Sequence, residues 1–201
     1  MNKKGLVSLI AGFICIMAAL AFLINNIMES QQAENASESI IHELNRQMDV
    51  ANAVVSEDFP TDNPDRIMPE MMVDDLGYIG ILSVPELDLE LPVLGDFDYD
   101  ALQITPCLYS GTVYQNNMVI GAHNYDAHFG RIGNLHIGAT VIFTDTERHS
   151  FQYEVVNAES LKPNQNEELT QKQHENDWNL TMFTCNYSGT ERVTIRCALK
   201  K

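Results

Sequence analysis

The sequence predicts a mainly β domain, a mixed β-barrel with short helices, placed behind a helix long enough to cross a membrane. Three observations point there. At least seven short apolar or alternating runs fall between residues 76 and 201, separated by turn residues and with few helix signals. A domain of about 125 residues with that many strands limits its exposed edges most simply by closing the sheet. At the other end of the chain, residues 5–24 form an uncharged, almost wholly apolar stretch.

That stretch comes first. At ~1.5 Å rise per residue it matches the ~30 Å hydrocarbon core of a bilayer. Lys3 and Lys4 precede it while Glu29 and Glu34 follow, so the positive-inside rule predicts a single-pass anchor over residues 1–27 with everything downstream exported. Ala19-Leu20-Ala21 also fits the small-residue pattern of a signal-peptide cleavage site. The apolar run continues through Phe22, Leu23 and Ile24, however, which favours a retained anchor.

Residues 28–75 change to Glu, Asp, Gln, Asn and Ser and read as an acidic helical stalk or linker. Within them Ile40, Ile41, Leu44, Met48, Ala51 and Val55 recur at three-to-four-residue spacing, predicting an amphipathic helix over about residues 33–56, either a stalk or a segment packed on the domain. Residues 58–65 are turn-rich, acidic and contain two prolines, a linker signature. The folded domain is expected over residues 76–201.

Its strands are predicted in order. Residues 78–84 and 87–93 are separated by Pro85, with Leu87, Leu89 and Leu91 alternating against Asp88 and Glu90. Residues 118–122 form a buried run ending at His123, followed by strands at 141–143, 151–156, 180–185 and 193–199. The polar segment 161–177 reads as a long surface loop with some helix around residues 167–172, and loops of that length are commonly binding elements.

Composition narrows the function classes. A net charge of −16 and a pI near 4.5 exclude a basic-groove nucleic-acid binder, since phosphate recognition needs clustered Lys and Arg. The four cysteines show no CxxC or CxxH spacing, so neither a structural zinc nor any other required metal or cofactor is expected. Cys15 lies in the apolar stretch. Cys107 and Cys197 either pair in an oxidising exterior or stay isolated and buried, the commoner case.

Cys185 ends the run Leu180-Thr181-Met182-Phe183-Thr184-Cys185. Period-two alternation puts Thr181, Phe183 and Cys185 on one face, and the polar turn at residues 186–190 opens that end to solvent. A hairpin through Gly189 returns Arg192 beside the cysteine, with Arg196 on the same face as a competitor. Among six histidines, His123 alone follows a buried strand directly and precedes a polar segment; His42, His128, His136, His149 and His174 fall in helix, loop or turn contexts. A thiol, an imidazole and a guanidinium supply nucleophile, proton carrier and oxyanion partner for acyl transfer through a thioester. Cys185, His123 and Arg192 are therefore the candidate catalytic residues. Thr184, Asn124, Tyr187 and Arg196, close to them in sequence, are the candidates for substrate contact. For any one of these residues alone, a buried inert thiol or a solvated surface side chain is the commoner role.

These residues also resemble a known family. Thr181-Met182-Phe183-Thr184-Cys185 is similar to the TLxTC signature of sortases with Met in place of Leu. Gly121-Ala122-His123 followed by Phe129, Asn134 and Leu135 resembles the family's histidine motif, and Thr190-Glu191-Arg192-Val193-Thr194-Ile195-Arg196 its arginine strand. Residues 78–85 and 87–93 resemble its first strands, so the likeness covers about residues 76–199. It implies an eight-stranded sortase β-barrel and a membrane-anchored cysteine transpeptidase of Gram-positive bacteria. Such an enzyme cleaves secreted proteins at a carboxyl-terminal LPxTG-type sorting signal, between Thr and Gly, and transfers the acyl group to an amine of a cell-wall precursor or of a pilin subunit. It implies further that Cys185 is the nucleophile, His123 the acid/base and Arg192 the oxyanion or substrate-positioning residue. The lack of an apolar carboxyl-terminal segment and of an aromatic lid motif points toward a class B-like or other specialised member rather than a pilin polymerase. Glu167 and Glu168 stand in for the carboxylates of a calcium site known in some class A members, but in a generally acidic chain they predict no metal. A thiol peptidase that hydrolyses its thioester and a non-catalytic surface-binding barrel are the alternatives.

Overall fold

In the computed structural model the described residues are 3–52, 65–172 and 177–200. One helix, α1 (Lys3–Asn52), holds both the apolar stretch and the amphipathic segment. The two were expected as separate units; they are continuous because no Gly or Pro intervenes between Ile24 and Ala33, and side chains brace the junction. Asn25 Nδ2 donates to Glu29 Oε1 at 2.7 Å and Gln31 Nε2 to Glu34 Oε2 at 2.9 Å. The first half is exposed and apolar, a candidate membrane span. The second half is not a free stalk. Ala33, Ser37, Ile40, Leu44 and Met48 are buried one or two turns apart, and Ile40, Leu44 and Met48 share a cluster with Val73, Tyr78, Ile81, Leu94, Ala101 and Cys107. Most of the linker expected at residues 58–65 lies outside the described residues.

Nine strands follow: β1 (Met71–Val73), β2 (Leu76–Val84), β3 (Leu89–Leu94), β4 (Cys107–Ser110), β5 (Met118–Gly121), β6 (Thr140–Asp145), β7 (Ser150–Leu161), β8 (Leu180–Cys185) and β9 (Arg192–Leu199). Their spatial order is β1-β2-β3-β4-β5-β8-β9-β7-β6, and pairing of β6 back onto β2 closes eight of them into a mixed barrel with β1 appended. Most neighbours are antiparallel; β3–β4 and β5–β8 are parallel. The interior is filled from every side by residues such as Leu82, Leu91, Ile120, Phe143, Tyr153, Met182, Ile195 and Cys197.

The sheet begins upstream of residue 76, at β1. β3 starts at Leu89, later than expected, because Pro85-Glu86-Leu87 forms a 3-10 turn that Asp88 leaves in a left-handed conformation. β4 was not expected: Cys107-Leu108-Tyr109-Ser110 carries no alternation and pairs through only a few residues. β7 runs past residue 156, since a bulge between Val155 and Asn157 lets its polar second half keep pairing with β9 as far as Leu161↔Arg192. Segment 161–177 contains the short helix α2 (Asn166–Thr170), anchored by buried Leu169. Cys107 faces the α1 cluster and Cys197 the barrel interior; both are free thiols, so the two do not pair. Burial raises Cys107 to about 11 and Cys197 to about 12.

Leu44 is fully buried between α1 and the barrel. Truncation by Leu44→Ala is expected to cost about 2–4 kcal/mol, read as a lower denaturant midpoint of the full chain in detergent micelles; an unchanged midpoint would mean that the helix does not dock on the barrel.

Candidate functional site

Strand register assembles one rim of the barrel. β5 runs parallel to β8 with Met118 opposite Leu180 and Gly121 opposite Phe183. Ala122 N continues the ladder to Phe183 O at 3.2 Å, and Thr184 Oγ1 donates to Ala122 O at 2.9 Å. The same progression brings His123 level with Cys185. On the other side of β8, antiparallel β9 pairs Arg192 with Cys185. The cysteine thus stands directly across from Arg192 on the adjacent strand, about 4.8 Å away, with His123 two residues past the end of β5 on its other side.

All three use the outer face. Phe183, on the cysteine's face, packs with Leu161, Leu169 and Trp178 outside the barrel. Gly121 is required here: a Cβ at that position would lie 2.7 Å from Phe183 Cζ. The β8–β9 turn is held by Asn186, whose N–H donates to Glu191 O at 2.9 Å and whose Oδ1 accepts from the N–H of Thr190 at 3.0 Å. Gly189 takes a φ of 68° that a side chain would strain. This turn fixes the Cys185–Arg192 register and leaves Cys185 exposed.

His123 begins a tight loop. Phe129 N donates back to His123 O at 3.2 Å, and His128 N and Gly130 N both donate to Tyr125 O at 2.9 Å. The imidazole lies flat on Tyr125, with ring centroids 4.0 Å apart and planes 24° from parallel. Its Nδ1 is buried without a hydrogen-bond partner among the described residues. Burial lowers the pKa of His123, and the carboxylate of Glu29 offsets part of that effect. His128, in the same loop, is fully buried. Burial first, then the charge of His123, brings it down to about 4.

Arg192 is half-buried, and its Nη1 has no hydrogen-bond partner among the described residues. That Nη1 is itself buried, so it is an unsatisfied donor that would gain by meeting an oxygen acceptor. The other candidates divide. Asn124 and Tyr187 reach the rim and line a cavity of about 190 Å³ with Asn26, Ser30, Glu34 and Asp126; Tyr187 is 81 % exposed. Thr184 does not face a substrate: it is 2 % exposed and its hydroxyl is spent on the Ala122 carbonyl.

Arg196 is also a correction. It shares the face of Arg192 but is 5 % exposed, paired with Thr181 farther down the strand. Its Nε donates to Glu159 Oε1 at 3.0 Å, Nη1 to Leu169 O and Thr181 Oγ1 at 2.8 Å each, and Nη2 to Glu168 O, with Trp178 stacked 4.9 Å away. It fastens α2 to the barrel. Sequence reasoning missed Tyr125 and Glu29, whose link depends on two segments 96 residues apart: Tyr125 Oη donates to Glu29 Oε2 at 3.2 Å.

Among the described residues, the grouping with metal-ligand geometry is Asp145, Glu147 and His149, at the β6–β7 turn. Asp145 already accepts from the N–H groups of Glu147 and His149 at 2.9 Å each and contacts His149 Nδ1 at 3.0 Å, while Glu147 pairs with Arg66. This is a closed turn network rather than an open cation cage. Glu167 and Glu168 accept hydrogen bonds from Gln171 and Gln165.

Residues 82–200 match the family model described as "Sortase domain". Similar solved structures include sortase C1 from Streptococcus agalactiae (19% identity, 65% of this chain and 71% of that one, TM-score 0.57). Others are a Clostridium perfringens sortase D5 transpeptidase (16%, 85% and 99%, TM-score 0.57) and a lid mutant of sortase A from Corynebacterium diphtheriae (17%, 82% and 96%, TM-score 0.55). At these identities the likeness is one of fold, and its spread over classes C, D and A selects no class. No curated protein matches the chain.

Two stability effects follow from the buried ionisable groups. Arg196→Ala leaves Glu159 and two carbonyls without their donor and is expected to cost about 3–5 kcal/mol, whereas a surface role predicts less than about 1 kcal/mol in the same unfolding measurement. For His128 the folded pKa lies below the unfolded value of ~6.5. Its neutral form therefore costs nothing above that pH, and stability falls as pH drops from ~6.5 toward 4, by on the order of 3 kcal/mol. His128→Gln should flatten that part of the pH–stability curve; an identical slope in both proteins would contradict the buried neutral imidazole.

Proposed function

The chain belongs to the sortase family of transpeptidases, and from that premise we propose that Cys185 is its nucleophile, His123 its general acid/base and Arg192 its oxyanion donor. The observation that carries this reading is the register that stations Cys185 between the other two. The Cys185 thiol gives its proton to His123, and the sulfur attacks the carbonyl carbon of the scissile peptide. The oxygen takes up negative charge opposite the Arg192 guanidinium. His123 returns the proton to the departing amine, leaving a thioester on Cys185. An acceptor amine then attacks the thioester, loses a proton to His123, and releases the sulfur with a new amide bond in place.

The substrate in this proposal is an LPxTG-like sorting signal at the carboxyl end of a secreted protein, and the acceptor is an amine of a cell-wall precursor. Asn124 and Tyr187, on the open side of the rim, contact the peptide. The first half of α1 crosses the membrane once and leaves the barrel outside the cell. The apolar, exposed surface of that half supports the anchor, and Lys3 and Lys4 support the orientation.

The test incubates the full chain in detergent micelles with a sorting peptide, with and without an amine acceptor, and follows products by mass spectrometry. Cys185→Ala should abolish the thioester adduct and all turnover. His123→Ala should lose about 10²–10⁴-fold and Arg192→Ala about 10²–10³-fold in kcat. Turnover by Cys185→Ala would overturn the assignment; release of free acid alone, despite saturating amine, would replace transfer by hydrolysis.

A further inference from the structure

The helix that carries the candidate span also reaches the rim. Two turns of α1 past Phe22, Glu29 accepts the hydrogen bond from Tyr125 Oη at 3.2 Å, and Ser30 Oγ accepts from Ala127 N at 3.4 Å. Both partners lie in the loop that starts at His123. Tyr125 is in turn the surface on which the imidazole is stacked. With Nδ1 making no hydrogen bond among the described residues, the ring's orientation depends on that stack rather than on a carboxylate or carbonyl behind it.

We propose that Glu29, on the turn of α1 that follows its apolar half, is a positioning residue for His123 and acts through Tyr125. The inference rests on the reading of His123 as the acid/base. Two physical effects operate. Burial, and then the Glu29 charge, raise the phenol's pKa, so Tyr125 keeps its proton and donates it toward the carboxylate. A phenol polarised in this way offers a more electron-rich face to the ring above it, and such a face favours imidazolium, the form His123 takes once it holds the thiol proton. The carboxylate itself favours the same form by direct attraction. The other ionisable groups set around this ring are His128 and Asp126 of its own loop, Arg192 and Cys185 across the rim, and Glu34 on α1. Of these, Arg192 opposes the imidazolium charge while buried His128 is neutral above about pH 4, and Glu29 is the carboxylate hydrogen-bonded to the ring's stacking partner. An anchor helix that holds the acid/base loop also fixes the site next to the point where α1 leaves the bilayer.

The experiment uses the full chain in lipid nanodiscs. Glu29→Gln keeps an acceptor but removes the charge, Tyr125→Phe keeps the stack but removes the hydrogen bond, and Tyr125→Leu removes both. Kinetics with a sorting peptide and the NMR titration of the labelled His123 imidazole are the readouts. For Glu29→Gln and Tyr125→Phe, kcat should fall about three- to tenfold with KM unchanged, and the imidazole titration should move down by about half to one pH unit. Tyr125→Leu should show a larger loss, and Glu38→Gln, elsewhere on α1, none. Unaltered titration and kcat in both Glu29→Gln and Tyr125→Phe would overturn the proposal, as would a loss confined to KM or to thermal stability. His123→Ala in the same assay separates the two readings: if it stays active, the acid/base assignment fails; if it is inactive while Glu29→Gln is normal, the positioning role alone fails.

Discussion

The parallel pairing of β5 with β8 is the constraint on which the site depends. Strands that run side by side in the same direction end on the same rim, so the residue that follows β5 and the residue that ends β8 meet without any long-range search. His123 and Cys185 are 62 residues apart in sequence, yet the ladder from Gly121–Phe183 through Ala122 to the Thr184 hydroxyl sets their relative height to within one residue. An antiparallel arrangement of the same two strands would send them to opposite ends of the barrel. The β8–β9 turn then adds Arg192 by the shortest possible route, a hairpin stiffened by Asn186 and Gly189.

The rim is built on the outside of the barrel, and that explains the division of labour along one strand face. Near the open end, Cys185 is exposed and Arg192 half-buried. Two same-face pairs farther along, Thr181 and Arg196 are covered by α2 and Trp178, and the Arg196 guanidinium makes four hydrogen bonds inside the protein. The same residue type on the same face has two roles because only one end of the face is roofed. α1 repeats this pattern on the other side, packing Ile40, Leu44 and Met48 against β2, β3 and β4 while its preceding turns extend to the histidine loop.

Much of this was legible in the chain because strong local signals mark it. Alternation in β3, β7 and β9 and the short apolar runs of β2, β5 and β8 mark the strands, the apolar run at residues 5–24 reports the helix, and the strand-ending positions of Cys185 and His123 report a rim. What could not be read arises from contacts between distant segments. Arg192 and Arg196 are equivalent by alternation, and only the arrival of α2 distinguishes them. Thr184 looks available until its hydroxyl is seen to be committed across the β5–β8 seam. β4 has no period to detect, and the polar half of β7 reads as loop because its pairing with β9 survives a bulge. The union of anchor and amphipathic segment into one helix was open to inference from the missing breaker between Ile24 and Ala33, but its docking on the barrel was not.

The convergence of three side chains on one rim is tested most directly by a structure of the full chain with a peptide-derived electrophile bound covalently to a cysteine. The account predicts a single adduct, on Cys185 and not on Cys15, Cys107 or Cys197, with the His123 ring and the Arg192 guanidinium each within about 3–4 Å of the adduct's polar atoms. An adduct on another cysteine, or one on Cys185 with either partner turned away from it, would contradict the account.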